Sequence, residues 1–334
     1  MRAGSDLKFK IKSFRKYFKL MKERKKKIVV YFNKEREMAD PFFEFGEKRA
    51  VWHELFRRAE KAGLEMYVSS GEDAYLGDYN FKNILKYQKI TFISQVGEIK
   101  ADAIFDRSAS DFFPEKEINN KVLNGREFKD LCWDKNLTYA LLRDFMPRSF
   151  KVCNRQDLSI GLKQFNQNEL AVLKPAKDLG GKGIHIDYPK KLANIELERE
   201  YILQEFVDTS AGVEGIVQSK HDLRIAVING RIVWAHVRMP KKGSYLANVA
   251  QGGAIKEILL EKIPFHILNT IASIQKEIDV KFDKPIYSID LGVADGKAYV
   301  FEINSHIGFP RSDMQNVGNF IDAIVEALII RSKR

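Results

Sequence analysis

The sequence predicts an α/β protein, α+β in the arrangement of its parts: a small open α/β domain, then a larger region built on antiparallel sheet. Three observations predict it. Strand, helix and strand patterns alternate across residues 28–105. Asn229-Gly230 falls between two apolar runs and is the strongest short hairpin signal in the chain. Ala294-Asp295-Gly296 separates two further strand patterns in the same manner.

Taken in order, Lys27 to Phe32 (KIVVYF) reads as a first buried strand. Lys48 to Ala62 has helical spacing in Val51, Leu55 and Ala59, and Gly63 stops it. Glu65 to Ser69, Lys89 to Ser94 and Ala101 to Phe105 read as strands, while Gly71 to Tyr87 shows no period and reads as a loop or irregular helix. No glycine fingerprint follows the first strand, which argues against a dinucleotide site there. Phe128 to Phe145 reads as one helix ending before Pro147. Strands follow at Ser149 to Val152, Leu170 to Leu173, Tyr201 to Phe206, Asp222 to Ile228, Arg231 to Arg238, Pro285 to Val293 and Ala298 to Ile303. Phe265 to Glu277 and Gly318 to Ile330 read as helices.

The 334 residues are 45% hydrophobic and 30% charged, an ordinary balance for a globular protein with a sizeable core. No apolar run is long enough to span a bilayer, and no secretory signal is evident. Cys132 and Cys153 are too few for a disulfide framework or a zinc site, so a reducing cytoplasm is expected, with Cys132 as a small buried residue. The net charge of +11 is local: residues 1–27 hold twelve Lys/Arg against Asp6 and Glu23, leaving +1 for the rest. That distribution argues against a nucleic-acid channel through the body or specific nucleic-acid binding. Within the tail, Leu7, Ile11, Phe14, Phe18 and Met21 mark one face of an amphipathic helix. Residues 7–27 suit an anionic membrane surface or an acidic partner, which would make the protein peripheral to the membrane. A helix docked on its own protein fits the same pattern.

The chemistry concentrates between Lys174 and Asn304. Lys174 ends an apolar strand before Pro175, where an ammonium can be held rigidly beside a polyphosphate. Gly180-Gly181-Lys182-Gly183 can fold over phosphates with its N–H groups exposed, because glycine takes positive φ cheaply. The Walker pattern is missing. Gln204-Glu205-Phe206-Val207 ends another strand, offering a backbone edge and a carboxylate to a purine. Asp222 and Arg224 share a strand face, as do Glu302 and Asn304. A three-residue turn at Ala294-Asp295-Gly296 pairs Val293 with Lys297 and puts Asp290 one diagonal step from Glu302. Two carboxylates and an amide oxygen without histidine or cysteine suit Mg²⁺. Each piece alone has a plain reading as well: a turn, a surface acid, a half-exposed strand or a surface salt bridge.

In this order and spacing, KPAKDLGGKGI (174–184), QEFV (204–207), DLR (222–224), ANVAQGG (247–253), Asp290 and FEIN (301–304) resemble the ATP-grasp superfamily. The closest branch is that of bacterial glutathione synthetase and the RimK-type carboxylate–amine ligases. The resemblance implies an ATP-grasp fold with domains at 28–125 and 126–334 after the tail, and a lid subdomain at about 148–208. It implies adenine contact at Glu205 and Val207, ribose contact at Asp222, and phosphate contact at Lys135, Lys174 and the glycine loop. It places magnesium, with Mn²⁺ able to stand in, at Asp290, Glu302 and Asn304. Arg224, Arg238 and Asn248 would line the reaction centre; Arg107, Arg238, Gly252, Gly253 and Ser305 would meet substrate. The implied reaction joins a carboxylate to an amine at the expense of ATP, and such proteins are commonly homo-oligomers. A kinase on the same fold and a nucleotide-binding regulatory module are the alternatives. After Asn304 the chain reads SHIGFPRSD, not the threonine-serine-proline of glutathione synthetase, so its amine side is expected to differ.

Overall fold

The computed structural model describes residues 24–108, 120–178, 180–247 and 253–334. Most of the predicted basic helix lies outside them. Of its last residues, Arg24 pairs with Asp102 at 3.1 Å, and Lys26 and Lys27 already belong to the first strand.

The N-terminal unit runs β1 (Lys26–Phe32), a 3₁₀ turn (Phe43–Lys48), α1 (Arg49–Lys61), β2 (Leu64–Ser70), β3 (Tyr75–Gly77), β4 (Asn80–Phe81), β5 (Ile84–Gln88), β6 (Thr91–Gln95), β7 (Ile99–Lys100), β8 (Ala103–Asp106) and β9 (Val122–Leu123). Its six-stranded sheet has the order β6-β5-β2-β1-β8-β9, with β1 parallel to both β2 and β8. Such central strands are covered on both faces, which is why KIVVYF is apolar throughout. Ile28 and Val30 pack with Trp52, Leu55 and Phe56, while Val29 and Tyr31 pack with Phe81 and Ile104. The stretch 71–87 is not the loop or irregular helix its composition suggested. It holds β3, β4 and β5, two of them too short to show a period. Lys89 and Ile90 take positive φ and form a turn, so β6 starts at Thr91, later than expected.

The helix expected over 128–145 is two helices, α2 (Arg126–Trp133) and α3 (Lys135–Leu142). Asp134 is extended, and its carboxylate accepts a hydrogen bond from the Asn136 N–H at 2.9 Å. A capping aspartate starts a new helix there, which makes Lys135 a first-turn residue.

A four-stranded antiparallel sheet follows, from β10 (Ser149–Val152), α4 (Arg155–Leu162), β11 (Ala171–Pro175), β12 (His185–Asp187), α5 (Pro189–Leu192) and β13 (Tyr201–Glu205). Its strand order is β10-β13-β11-β12, over a small core of Val152, Leu158, Leu173 and Leu203.

The second antiparallel sheet joins β14 (Asp222–Ile228), β15 (Arg231–Met239), β16 (Ala254–Ile258), β17 (Tyr287–Ala294) and β18 (Lys297–Asn304) in the order β16-β15-β14-β17-β18. Strand β16 was not expected from the sequence. One face buries Leu223, Ile225, Ile289 and Leu291 against α6 (Phe265–Lys281), whose Ile267, Ile271, Ile274 and Ile278 form a continuous stripe. The opposite face is apolar only at one end, where Ala226, Ile228 and Trp234 join α7 (Val317–Ser332) and α1 in the main core. The rest of that face is polar. Among the described residues no helix is long and apolar enough to cross a membrane.

Both hairpins of this sheet close with two residues. Asn229 and Gly230 sit at φ 53° and 70°, and Asp295 and Gly296 at 51° and 71°. The second turn is therefore one residue shorter than expected, with Ala294 opposite Lys297. A bulge between Asp290 and Leu291 shifts the register by one more residue, so Asp290 lies directly opposite Glu302.

Candidate active site

The ladder aligns four polar residues across four strands. His236 pairs with Arg224, Arg224 with Asp290, and Asp290 with Glu302. One step along, Asp222 pairs with Arg238. Arg224 grips both Asp290 oxygens, Nε to Oδ1 at 2.6 Å and an η-nitrogen to Oδ2 at 2.5 Å. Arg238 donates to Asp290 Oδ2 at 2.8 Å and to Asp222. Asn304 donates to the same Oδ2 at 3.3 Å.

Electrostatics follow from this packing. Burial would raise the Asp290 carboxyl, but the two guanidiniums hold it far below the usual carboxylate range. Asp222 is pushed up to about 6, by burial first and then by Asp290. Burial, Arg224 and Arg238 drop His236 to about 3, so its imidazole is neutral.

Two lysines close one end of the row. Lys135 donates to the Asp178 carbonyl at 2.8 Å and stands 4.0 Å from Glu302. Lys174 donates to Gln204 Oε1 at 2.9 Å and to the Phe301 carbonyl at 3.2 Å, linking the two antiparallel sheets. Burial and then Lys135 lower Lys174 to about 8. Glu302 is raised, chiefly by burial, with Lys135 opposing.

The expected site residues separate into groups. Asp222, Arg224, Arg238, Asp290, Glu302 and Asn304 converge on one sheet face, and Lys135 and Lys174 reach it. Gly180, Gly181 and Gly183 all take positive φ (76°, 74° and 69°), as a loop folding back over Pro175 requires. Lys182 on that loop is exposed. Gln204 differs from expectation: its side chain is buried between Lys174 and Ser149 Oγ (2.8 Å), where it holds the lysine. Glu205 is exposed at the strand end, Phe206 packs edge-on against Tyr245 at 5.1 Å, and Val207 is half-buried. Gly253 precedes β16, while Asn248 and Gly252 lie outside the described residues. The Ser305 carbonyl accepts from Asn124, whose amide also pairs with both backbone groups of Ile286. Arg107 stands apart, after β8, over the rings of Trp52, Phe105 and Phe309 and donating to the Ile307 carbonyl at 3.2 Å.

The oxygen donors fit a hard divalent cation in chemistry. Glu302 and the Asn304 amide oxygen are the ones open to it, since both Asp290 oxygens accept bonds from arginines. Among the described residues no group of three or more His, Cys, Asp or Glu is placed to hold a metal, so the expected set works only with the asparagine included. Gly292 was missed by the sequence reasoning. A Cβ there would lie 2.5 Å from Phe301 Cζ and 2.6 Å from Thr209 Cγ2. A glycine inside a strand pattern is the signal that could have found it.

A glycine loop beside a row of arginines, carboxylates and lysines between two antiparallel sheets is an arrangement similar to the ATP-grasp fold. Residues 135–283 match the family described as prokaryotic glutathione synthetase, ATP-grasp domain. The whole fold resembles D-alanine–D-alanine ligase from Bacillus anthracis complexed with ATP (TM-score 0.58, 13% identity, 92% of this chain and 99% of that one). It resembles D-cycloserine synthetase DcsG similarly (0.57, 14%, 90% and 99%). A RimK-domain ATP-grasp protein from Sphaerobacter thermophilus is a further neighbour (0.52, 12%, 91% and 98%). At such identities the likeness is one of fold. No curated protein matches the sequence.

Proposed function

We propose that the protein is an ATP-dependent carboxylate–amine ligase that forms an amide or peptide bond through an acyl phosphate, releasing ADP and phosphate. The observation that supports it best is the cross-strand row His236–Arg224–Asp290–Glu302, flanked by Arg238 and two buried lysines. Lys135, Lys174 and the loop Gly180–Gly183, with Lys182, hold the phosphates. The strand end Gln204–Val207 offers its backbone edge and Glu205 to adenine. Asp222 keeps one oxygen without a partner for ribose. Glu302, Asn304 and Asp290 would hold Mg²⁺, or Mn²⁺ in its place, and the bound cation would neutralise phosphate charge.

Arg224 and Arg238 face the place where negative charge develops on the activated carboxyl and in the tetrahedral adduct. Arg238 Nε is buried without a hydrogen-bond partner, so it has a donor to give. Each guanidinium is oriented by Asp290 before substrate arrives, which lowers the cost of reorganisation. No side chain needs to act as a nucleophile. Arg107, Asn248, Gly252, Gly253 and Ser305 are assigned to the substrates.

The test is phosphate release from ATP and a divalent cation with pools of amino acids, dipeptides and polyamines, comparing the protein with Glu302→Ala. Pool-dependent release that the substitution abolishes, with an amide in the product by mass spectrometry, is the expected result. A phosphorylated hydroxyl product would replace the ligase with a kinase. Failure of ATP to raise the melting temperature would overturn the reading.

A further inference from the structure

The Lys174 ammonium ends a chain of buried hydrogen bonds that begins at the far edge of the four-stranded sheet. Register puts its members on one face. Ser149 of β10 pairs with Gln204 of β13, and Lys174 of β11 pairs with Ile202, two residues before Gln204. The Ser149 hydroxyl donates to the Pro147 carbonyl at 2.8 Å, and its oxygen accepts from Gln204 Nε2 at 2.8 Å. Gln204 Oε1 accepts from Lys174 Nζ at 2.9 Å, and Lys174 also donates to the Phe301 carbonyl at 3.2 Å. Ser149, Gln204 and Lys174 are only 6%, 3% and 6% exposed.

The chain has one direction. Its first member, the Pro147 carbonyl, can only accept, so the Ser149 proton is committed to it and the hydroxyl oxygen is left to accept. The Gln204 amide nitrogen must then face Ser149, which turns the amide oxygen to the lysine. At the other end an ammonium can only donate, which demands the same orientation. Two of the three ammonium N–H groups are used on Gln204 and Phe301, and the third is left for a phosphate oxygen.

A buried lysine depends on such support. Burial and Lys135 both work against its charge, and its stem is flexible, so the fixed oxygens decide where the free N–H points. Those oxygens come from different sheets, Gln204 from the four-stranded one and Phe301 from the five-stranded one. Ser149 lies on the edge strand β10, with β13 between it and the strand of Lys174. It reaches the lysine only through the Gln204 amide.

We infer that Ser149 is a positioning residue for nucleotide binding. It fixes the Gln204 amide, and through it the direction in which Lys174 offers its remaining donor to the phosphates. This rests on the assignment of Lys174 to the phosphates in the proposed function. Without the Ser149 hydroxyl, Gln204 Nε2 is left in a buried place with no partner, and any rotation that finds it one carries Oε1 away from the lysine.

Calorimetric titration with a non-hydrolysable ATP analogue and Mg²⁺ at pH 7 tests this in four proteins: wild type, Ser149→Ala, Lys174→Met and the double variant. Ser149→Ala is expected to bind the analogue about tenfold more weakly. In the Lys174→Met background the same change is expected to cost less than about twofold, because the group it acts through is gone. Ser149→Thr keeps the hydroxyl and should keep most of the affinity. Adenosine, which has no phosphate, should bind wild type and Ser149→Ala alike. Equal losses in both backgrounds, or an equal loss for adenosine, overturn the inference and leave Ser149 as a support of the sheet or of the adenine edge. Unchanged affinity in Ser149→Ala beside a loss in Lys174→Met also overturns it, with Lys174 still on the phosphates. Unchanged affinity in Lys174→Met sinks the inference together with the lysine's assignment. Should the alanine variant not fold, Ser149→Cys, close in size with a weaker acceptor, takes its place in the cycle.

Discussion

The two hairpins of the five-stranded sheet are built from the same parts and do different work. Each closes on an Asx-Gly pair with both residues at positive φ, and each carries one bulge. In β14–β15 the bulge falls next to the turn, between Ala226 and Val227, where Val233 is the extra residue among buried apolar neighbours. In β17–β18 it falls between Asp290 and Leu291, and Phe301 is the extra residue. Absorbing Phe301 brings Glu302 opposite Asp290. The Val300 N–H turns to the Phe145 carbonyl at 2.8 Å, and the Phe301 carbonyl is left for Lys174. The turn sets the register, and the position of the bulge decides whether the register serves packing or chemistry.

The largest expected contrast is between the charges the two hairpins carry. Arg231, at the start of β15, pairs with Glu326 at the surface, both side chains being about half exposed. Arg231→Ala should change stability by less than about 1 kcal/mol and leave phosphate release intact. Asp290 is buried and is the shared partner of two arginines. Asp290→Ala leaves buried guanidiniums uncompensated, which costs about 3–5 kcal/mol on unfolding in denaturant and removes turnover. Matching stability losses in the two variants would erase the distinction. Glu302→Ala sharpens it, because Glu302 is only loosely paired, with Lys135 at 4.0 Å. Turnover there should fall by about 10²–10³-fold, the scale of losing a key transition-state partner, with little change in melting temperature.

A pair of glycines probes the backbone of the same hairpins. Gly292→Ala places a methyl 2.5 Å from Phe301 Cζ, so the bulge residue or Thr209 must move. Overpacking of that kind costs about 1–3 kcal/mol, and turnover should fall with it, because the Phe301 carbonyl holds Lys174. Gly230→Ala meets only Asp279 Oδ2 at 3.7 Å, but its φ of 70° costs about 1–2 kcal/mol in any L-residue. That variant should lose stability and keep its kcat. If Gly292→Ala keeps its kcat too, the bulge is not part of the active geometry.

These contrasts also mark what could be read from the chain. The Asn229-Gly230 turn, the apolar β1 and the isoleucine stripe of α6 are local patterns, and the residues announce them. The bulges are not local: each is chosen by the contacts of the extra residue with other elements, such as Phe301 with Gly292 and Thr209. The sequence reading assumed a longer turn and no bulge, and those two one-residue differences add to a shift of two, which keeps the face and changes the partner. Asp290 and Glu302 were placed on one face, with the wrong pairing. Lys135 was legible only through the family resemblance, because the helix expected across Asp134 hid the capping role of that residue.

The smallest expected effect is a proton. Lys174 is lowered to about 8 by burial and by Lys135, and its ammonium donates to the β17–β18 bulge and to no group of β14–β15. Its charge is complete well below pH 8 and is lost as pH rises through 8. A triphosphate favours the ammonium, so ATP binding above that pH must take up a proton. Affinity should be nearly flat from pH 6 to 7 and fall by about tenfold from pH 7 to 9, one proton per nucleotide. Calorimetry at pH 8.5 in two buffers of different ionisation enthalpy should show the uptake directly. Lys174→Met should bind ATP more weakly at every pH and lose this slope. An identical slope in that variant would assign the proton to another group and would separate the bulge carbonyl from phosphate binding.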